Sequence, residues 1–158
     1  MLFVGESPPA GPTFFYDADS ILHHATRDAF IAAYPRLARV EFLPAFQRMD
    51  CYLEDLSHTP INDLPRRVRR EAQRAAVPQL GKRVAGTRPR SVVVVVTGIR
   101  DDVARALTTA GLEDVPIDGL PFPGQWHRSD YVSELTDLVR QWRRHRVLLP
   151  PFGDSARH

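Results

Sequence analysis

The sequence predicts an α/β protein with a three-layer α/β/α fold around a central four-stranded parallel sheet. Five consecutive valines at residues 92–96 are typical of a strand that is buried on both faces of a parallel sheet. Strand-like segments alternate with helical patterns along the chain, which favours right-handed crossovers with helices on both faces of the sheet. The length of 158 residues and the hydrophobic content of 43% predict one domain, residues 1–158.

Four segments have the composition of strands, and each ends in turn-forming residues. Residues 91–98 contain the valine run and are expected to form a central strand. Residues 2–5 run into Gly-Glu-Ser-Pro-Pro at 5–9, and residues 50–56 precede Ser-His-Thr-Pro. Residues 115–120 precede Pro-Phe-Pro-Gly-Gln-Trp, which completes a set of four strands.

Two of the expected helices have clear signals at their ends. Asp19 or Ser20 can cap a helix that runs to about Tyr34. Another helix begins near Asp101 and is stopped by Gly111, a residue that commonly ends helices. Residues 36–49 are expected to form a loop, and residues from about 147 to 158 a loose tail.

The other two helices are predicted from weaker signals. Asn62 or Asp63 can cap a helix that ends before Pro78, since proline disfavours a helix interior. Ser129 can cap the last helix, because apolar residues recur on one face after it. These are Val132, Leu135, Leu138, Val139 and Trp142.

The basic residues are almost all arginines, since twenty of the 21 are Arg and the other is Lys82. They form two clusters that would suit a phosphate backbone. The alternative is that both clusters are solvated helix faces in an arginine-rich proteome. The clusters are Arg66, Arg67, Arg69, Arg70 and Arg74, and Arg140, Arg143, Arg144 and Arg146.

No cofactor or metal is expected. Cys51 is the only cysteine, which excludes an internal disulfide and any cluster held by several thiolates. No histidine pair in the site loops has a ligand spacing for a metal ion, and no phosphate-binding loop or dinucleotide motif is present. Because no long apolar run and no signal peptide appear, we expect a cytoplasmic monomer without a membrane partner.

The functional site is expected outside the carboxyl ends of the strands, where open α/β sheets bind ligands. Glu6 and Ser7 follow the first strand and precede two prolines, so their side chains should project from a rigid turn. Glu6 could order a water or accept a proton, or it could merely satisfy amides in the turn. Ser7 has no neighbouring base and would be a poor nucleophile.

Three consecutive aromatic residues, Phe14, Phe15 and Tyr16, precede the first helix. At least one ring is expected to face outward, where it could stack on a nucleobase. Packing against the helix is the alternative for one or two of them.

Two histidines lie in the loops of the expected site. His58 follows the strand at residues 50–56, and His127 lies between Trp126 and Arg128. Either could form hydrogen bonds or contact phosphate, and an exposed histidine without a role is the alternative. Residues 121–128 precede a helix N-terminus, a place that suits an anion or an inserted side chain.

These motifs, taken in order, resemble the uracil-DNA glycosylase superfamily, particularly its bacterial branch with a Gly-Glu-Ala-Pro-Gly first motif. The corresponding residues here are Gly-Glu-Ser-Pro-Pro at 5–9, Gly-Pro-Thr-Phe-Phe at 11–15 and Ser-Ile-Leu at 20–22. Residues 52–60 resemble the family's second strand, and residues 121–128 occupy the place of its leucine-loop motif. The similarity spans roughly residues 2–142, although each motif is short.

The resemblance implies a role for each matching residue. Phe14 would stack on an extruded base, and Asp55 would replace the asparagine that hydrogen-bonds the base edge, with His58 also in the base-binding set. The catalytic set would be Glu6, Ser7 and His127. The DNA-binding set would be Pro123, Gly124, Gln125, Trp126 and Arg128.

Three departures from the family pattern concern catalysis. Ser7 stands where many members have Asp or Asn to position the water, which leaves Glu6 as the nearby carboxylate. The family's catalytic histidine falls near Pro121 or Phe122, so that Gln125 or His127 would have to donate to the departing base. Ionised Asp55 can only accept hydrogen bonds and would face a uracil carbonyl unfavourably. The branch's usual four-cysteine iron–sulfur cluster cannot form.

The resemblance therefore implies a hydrolase of base excision repair: a DNA glycosylase-like protein that flips a damaged or deaminated base, uracil or a related base, into a pocket. It would hydrolyse the N-glycosidic bond in single- or double-stranded DNA. One alternative is a catalytically weak or inactive nucleic-acid-binding module of the same fold. Another is an enzyme that acts on free nucleosides or nucleotides.

Overall fold

The computed structural model describes residues 1–148, so the predicted tail lies outside the described residues beyond position 148. Contacts within the chain divide it into two compact units. Unit 1 comprises residues 1–13 and 53–121, and unit 2 comprises residues 14–52 and 122 onward. The prediction of a single domain stays a prediction.

The described residues contain four β-strands and five α-helices, as the α/β class predicts. The strands are β1 Leu2–Gly5, β2 Tyr52–Asp55, β3 Val92–Val94 and β4 Ile117–Gly119. The helices are α1 Ile21–Ala33, α2 Phe42–Arg48, α3 Arg66–Thr87, α4 Arg100–Thr109 and α5 Arg128–Arg144. Within residues 1–148, no helix is both long and apolar enough to cross a membrane.

The sheet confirms the predicted four-stranded parallel arrangement and is consistent with the three-layer fold class. Its strand order is β2-β1-β3-β4. Leu2 pairs with Val92, and Val92 pairs with Ile117, in parallel register. The valines of β3 are fully buried, which confirms the central strand predicted from the valine run. β3 is shorter than predicted because the chain turns into a short 3-10 helix, Thr97–Ile99.

The helix that follows β2 departs from the prediction at both ends. α3 begins after Pro65, which provides no side-chain cap, so the prediction of a cap at Asn62 or Asp63 is wrong. The amide of Asn62 instead donates to Asp63 (2.9 Å). The predicted end before Pro78 is also wrong, because α3 continues through this exposed residue to Thr87.

Packing against α4 explains why α3 continues past Pro78. A Cβ atom on Gly81 would lie 3.2 Å from the carbonyl oxygen of Ala106 in α4. The two helices therefore approach closely at Gly81, and this tertiary packing compensates for the hydrogen bond that Pro78 cannot donate. α4 itself ends as predicted, with Gly111 at a positive φ of 68°.

Unit 2 contains α1, α2 and α5. Ser20 caps α1 by accepting from the amide of His23 (3.1 Å), as predicted. α5 instead begins at Arg128 without a side-chain cap, so the cap predicted at Ser129 is wrong; the chain enters α5 from a turn. The loop predicted at residues 36–49 is also wrong, since it forms the 3-10 helix Pro35–Arg39 and then α2.

The core of unit 2 is aromatic, which explains why residues 36–49 become helical. Phe42 and Phe46 of α2 pack against Phe30 of α1, with ring centroids 5.6 and 5.5 Å from it. Tyr131 of α5 is fully buried, and its hydroxyl shares a hydrogen bond with Thr26 of α1 (2.8 Å). These contacts join the three helices through burial of large rings.

Candidate functional site at the carboxyl edge of the sheet

The strand order places a topological switch point between β1 and β3. β2 lies on one side of β1, whereas β3 and β4 lie on the other. In open parallel sheets the crevice outside such a point binds ligands. The residues that follow the two strands are Glu6 after β1 and the turn Thr97–Ile99 after β3.

Glu6 is buried, and side chains of α3 hold its carboxylate. Its Oε1 and Oε2 atoms accept from Nε and Nη2 of Arg69, which forms a bidentate ion pair. Oε1 also accepts from the amide of Gln73 (2.5 Å). Glu6 is thus fixed in orientation, and Oε2 keeps the capacity to accept one further donor, such as a water.

Ser7 has a structural contact at the same edge. Its Oγ accepts from the backbone amide of Ile61 (3.2 Å), which ties the loop after β2 to the turn after β1. The hydroxyl proton of Ser7 remains able to donate.

Asp55 ends β2 with its carboxyl group packed directly on Gly5 of β1. A Cβ atom on Gly5 would overlap Oδ1 of Asp55, so the neighbouring strand provides space that only glycine leaves. Burial raises the pKa of Asp55 from 3.8 to about 6, and the nearby carboxylates of Glu54 and Glu6 add to the rise. Asp55 therefore exchanges its proton close to neutral pH, whereas ordinary aspartates stay ionised there.

Glu54 and Arg83 form polar contacts at the end of β2. The imidazole Nε2 of His58 lies 2.7 Å from Oε1 of Glu54, and Nε of Arg83 lies 3.4 Å from Oε2. Arg83 also donates to the carbonyl oxygen of Asp55 (2.6 Å). The side chain of His58 is 61% exposed, so this histidine belongs to the rim of the edge.

A crevice of about 550 Å³ opens beside Glu6 in unit 1. Its walls are formed by Leu64, Arg66, Arg69, Arg70, Gln73 and Gly98. Arg70 is anchored from below, since it donates to Oδ2 of the fully buried Asp102 (2.5 Å). The predicted site residues Glu6, Ser7, Asp55 and His58 all belong to this unit.

Phe14 belongs to unit 2. It is half-buried, and its backbone amide donates to Oδ1 of Asp19 (2.7 Å). Phe15 is a core residue and Tyr16 is the exposed ring of the three, 42% accessible. The expectation that at least one aromatic faces outward is therefore confirmed.

The predicted DNA-binding segment also belongs to unit 2, and Trp126 is the most exposed large hydrophobic residue among those that the structure describes, at 82%. Pro123 is buried, Gly124 is half-buried and Gln125 is exposed. His127 precedes α5, with Nδ1 3.7 Å from Oδ2 of Asp130. Arg128 forms an ion pair with Asp28 of α1 (2.5 Å).

Sequence reasoning did not identify the side chains that hold Glu6. Arg69 and Gln73 lie more than sixty positions away along the chain. The arginine cluster was the available signal, because Arg66, Arg69, Arg70 and Gln73 recur at the three- and four-residue spacing of one helix face. Helical periodicity was the signal available for buried Asp102, which lies on the face of α4 that carries Val103 and Ala106, unlike exposed Asp101.

Among residues 1–148, no group of three or more His, Cys, Asp or Glu side chains could hold a metal ion. Comparisons with protein-family models, with curated proteins and with solved structures find no match to this chain.

Proposed function

We propose that the protein is a DNA glycosylase that hydrolyses the N-glycosidic bond of a damaged or deaminated base. The observation that carries this proposal is the pair of carboxyl groups at the ends of neighbouring strands. Glu6 is a carboxylate held by Arg69, whereas Asp55 is a half-buried group with a pKa of about 6. Two carboxyl groups with different environments are the usual acid and base of glycoside hydrolysis.

Asp55 is the hydrogen-bond donor to the departing base in this mechanism. In its protonated form, the carboxyl group donates a hydrogen bond to a carbonyl oxygen of the base. As the bond between C1′ and the base nitrogen breaks, its electron pair moves onto the base, and this donor stabilises the developing charge. Protonation thus removes the unfavourable contact that an ionised Asp55 would make with uracil.

Glu6 supplies the acceptor for the attacking water. The oxygen of the water donates an electron pair to C1′ and forms the new bond. A proton of the water passes to the free acceptor position of Glu6 Oε2. Arg69 and Gln73 keep this oxygen in one orientation. The stacking role of Phe14 and the DNA contacts of Trp126 and Arg128 rest on the family resemblance.

A nucleic-acid-binding module without catalysis is the second candidate. The observation that favours it is the engagement of both Glu6 oxygens by Arg69, together with the third donor from Gln73. A structural ion pair of this kind accounts for the position of Glu6 without any catalytic role. This candidate predicts salt-dependent binding of DNA without release of a base.

Base release tests the proposal. Single- and double-stranded oligonucleotides that carry uracil, hypoxanthine, xanthine or a mismatch are incubated between pH 5 and pH 8.5, and strand cleavage after alkali is measured. We expect release to fall about tenfold per pH unit above pH 6, because the donor form of Asp55 declines. No release at any pH, with retained DNA binding at low salt, would refute the proposal in favour of the second candidate.

Asp55→Asn sharpens the test, because an amide has the donor and acceptor of a protonated carboxyl group. We expect this variant to retain release at pH 8 and to lose the dependence on pH above 6. Glu6→Gln should reduce release about a hundredfold at every pH. Asp114→Asn is the matched control, since this exposed residue precedes β4 at the opposite edge and should not change the profile.

A further inference from the structure

We propose that the crevice lined by Arg66, Arg69 and Arg70 is a binding site for a phosphate group carried by a nucleotide or a nucleic-acid strand. The inference does not depend on base release. It rests on the charge, the unused donors and the position of this crevice in unit 1.

The first argument is charge. Three guanidinium groups face a crevice that has no carboxylate among its lining residues. Two buried carboxylates, Glu6 and Asp102, bind Arg69 and Arg70 from below. Asp102 is shared with a further arginine, Arg105 (3.4 Å). The carboxylate of Asp63 also acts on Arg69. The four arginines still exceed these three carboxylates by one charge, and an anion is the ligand that this excess favours.

The second argument is the number of donors that remain. A guanidinium carries five N–H groups. Arg70 uses only its Nη1 atom in hydrogen bonds, to Gln73 and Asp102, so its Nε and Nη2 groups have no partner in the described chain. Arg69 donates three hydrogen bonds, to Glu6 and Asn62. Arg66 is exposed and has no partner among the described residues.

The third argument is preorganisation. Arg69 and Arg70 are held in place by buried carboxylates, so a ligand would not need to order them. The Nε and Nη2 groups that Arg70 leaves unused form a planar fork, which suits two oxygens of a phosphate in a bidentate arrangement. Gly98 completes the wall, and a Cβ atom there would meet nothing within 4 Å, so the backbone side of the crevice is open.

The arginines at the start of α3 also destabilise the helix when no anion is bound. Arg66 and Arg69 lie in the first turn of α3, which contains no acidic residue and no side-chain cap. Cations at a helix N-terminus are unfavourable because they oppose the positive end of the helix dipole. Such a local conflict with helix electrostatics is common at functional sites, and a bound phosphate would reverse its sign.

Titration calorimetry with inorganic phosphate, a deoxynucleoside 5′-monophosphate and a single-stranded (dT)12 oligonucleotide tests the inference. For each ligand that occupies the crevice, we expect Arg66→Ala to lower the affinity about five- to tenfold. Arg67→Ala is the matched control, because it removes the same charge at the neighbouring position. The side chain of Arg67 is 91% exposed and pairs with Glu71. This control should change affinity less than twofold.

The ligands distinguish the sources of the phosphate. Binding of the monophosphate without (dT)12 indicates a nucleotide site, whereas displacement of phosphate by (dT)12 indicates a strand backbone. In the latter case Arg66→Ala should also lower the slope of log affinity against log salt by about one.

Equal effects of Arg66→Ala and Arg67→Ala would overturn the inference, since they would show general surface attraction. Absence of saturable binding by all three ligands would overturn it as well. Arg66→Gln repeats the test with a long polar side chain that carries no charge, in case the truncation to alanine alters folding. Saturable phosphate binding by the wild-type protein, without release of any base, would refute the proposed base release and leave this site intact.

Discussion

Replacing Asp55 with asparagine should stabilise the protein at alkaline pH. The pKa of Asp55 is raised from 3.8 to about 6, chiefly by burial, so the ionised side chain opposes folding. The rise from 3.8 to about 6 changes the protonation equilibrium somewhat more than a hundredfold. Because each tenfold change corresponds to about 1.4 kcal/mol, the gain in the free energy of unfolding is at most about 3 kcal/mol. Because Asp55 is half-buried and water screens part of its charge, we expect a gain of about 1–2 kcal/mol.

The sign of this effect fixes its dependence on pH. Below pH 3.8 the carboxyl group is protonated in both the folded and the unfolded protein, so the wild type and the Asp55→Asn variant should be equally stable. As pH rises from 3.8 to about 6, only the folded protein retains the proton, and the wild type loses stability relative to the variant. Above pH 6 the difference should be constant.

Urea denaturation at pH 3.5, 5, 6 and 8 measures the difference in the free energy of unfolding. Asp114→Asn is again the matched control and should show no such dependence on pH, since Asp114 is exposed. A variant that is less stable than the wild type at pH 8 would refute the reasoning. It would mean that Arg83 and His58 stabilise the ionised form more than burial destabilises it.

Three further predictions concern the two units. Gly5→Ala should displace the Asp55 carboxyl group, lowering stability by about 1–3 kcal/mol in urea denaturation and abolishing the break near pH 6 in base release. Burial lowers the pKa of His23, whose ring nitrogens have no hydrogen-bond partner among residues 1–148. The protein should therefore have its full stability above pH 6.5 and lose stability as pH drops below it, and His23→Leu should weaken this acid dependence in thermal melts. Tyr131→Phe should cost about 1–2 kcal/mol, because the buried hydroxyl of Thr26 loses its partner.

Each of these predictions has an outcome that contradicts it. A Gly5→Ala variant with wild-type stability and an unchanged pH profile would show that Asp55 does not need the space above Gly5. An undiminished loss of stability below pH 6.5 in His23→Leu would assign the acid dependence to other groups. A fully stable Tyr131→Phe variant would mean that the hydrogen bond to Thr26 contributes nothing net.

The residues expected at the candidate site were only partly predictable. The rule that ligands bind beyond the carboxyl ends of parallel strands located the edge that carries Glu6 and Asp55. The groups that define their chemistry come from α3, since Arg69 lies 63 positions from Glu6 along the chain. Side-chain partners at such a separation are selected by packing, which no local pattern records.

The sequence by itself determined the features that depend on near neighbours. The valine run specified the buried central strand, Ser20 specified the start of α1, and Gly111 specified the end of α4, because burial pattern and capping act within a few residues. Tertiary structure decided the course of α3 through Pro78, where close packing at Gly81 outweighs a local helix breaker. It likewise decided that Glu6 is an ion-paired carboxylate and that the pKa of Asp55 is raised to about 6, since burial and charge partners arise only after the chain has folded.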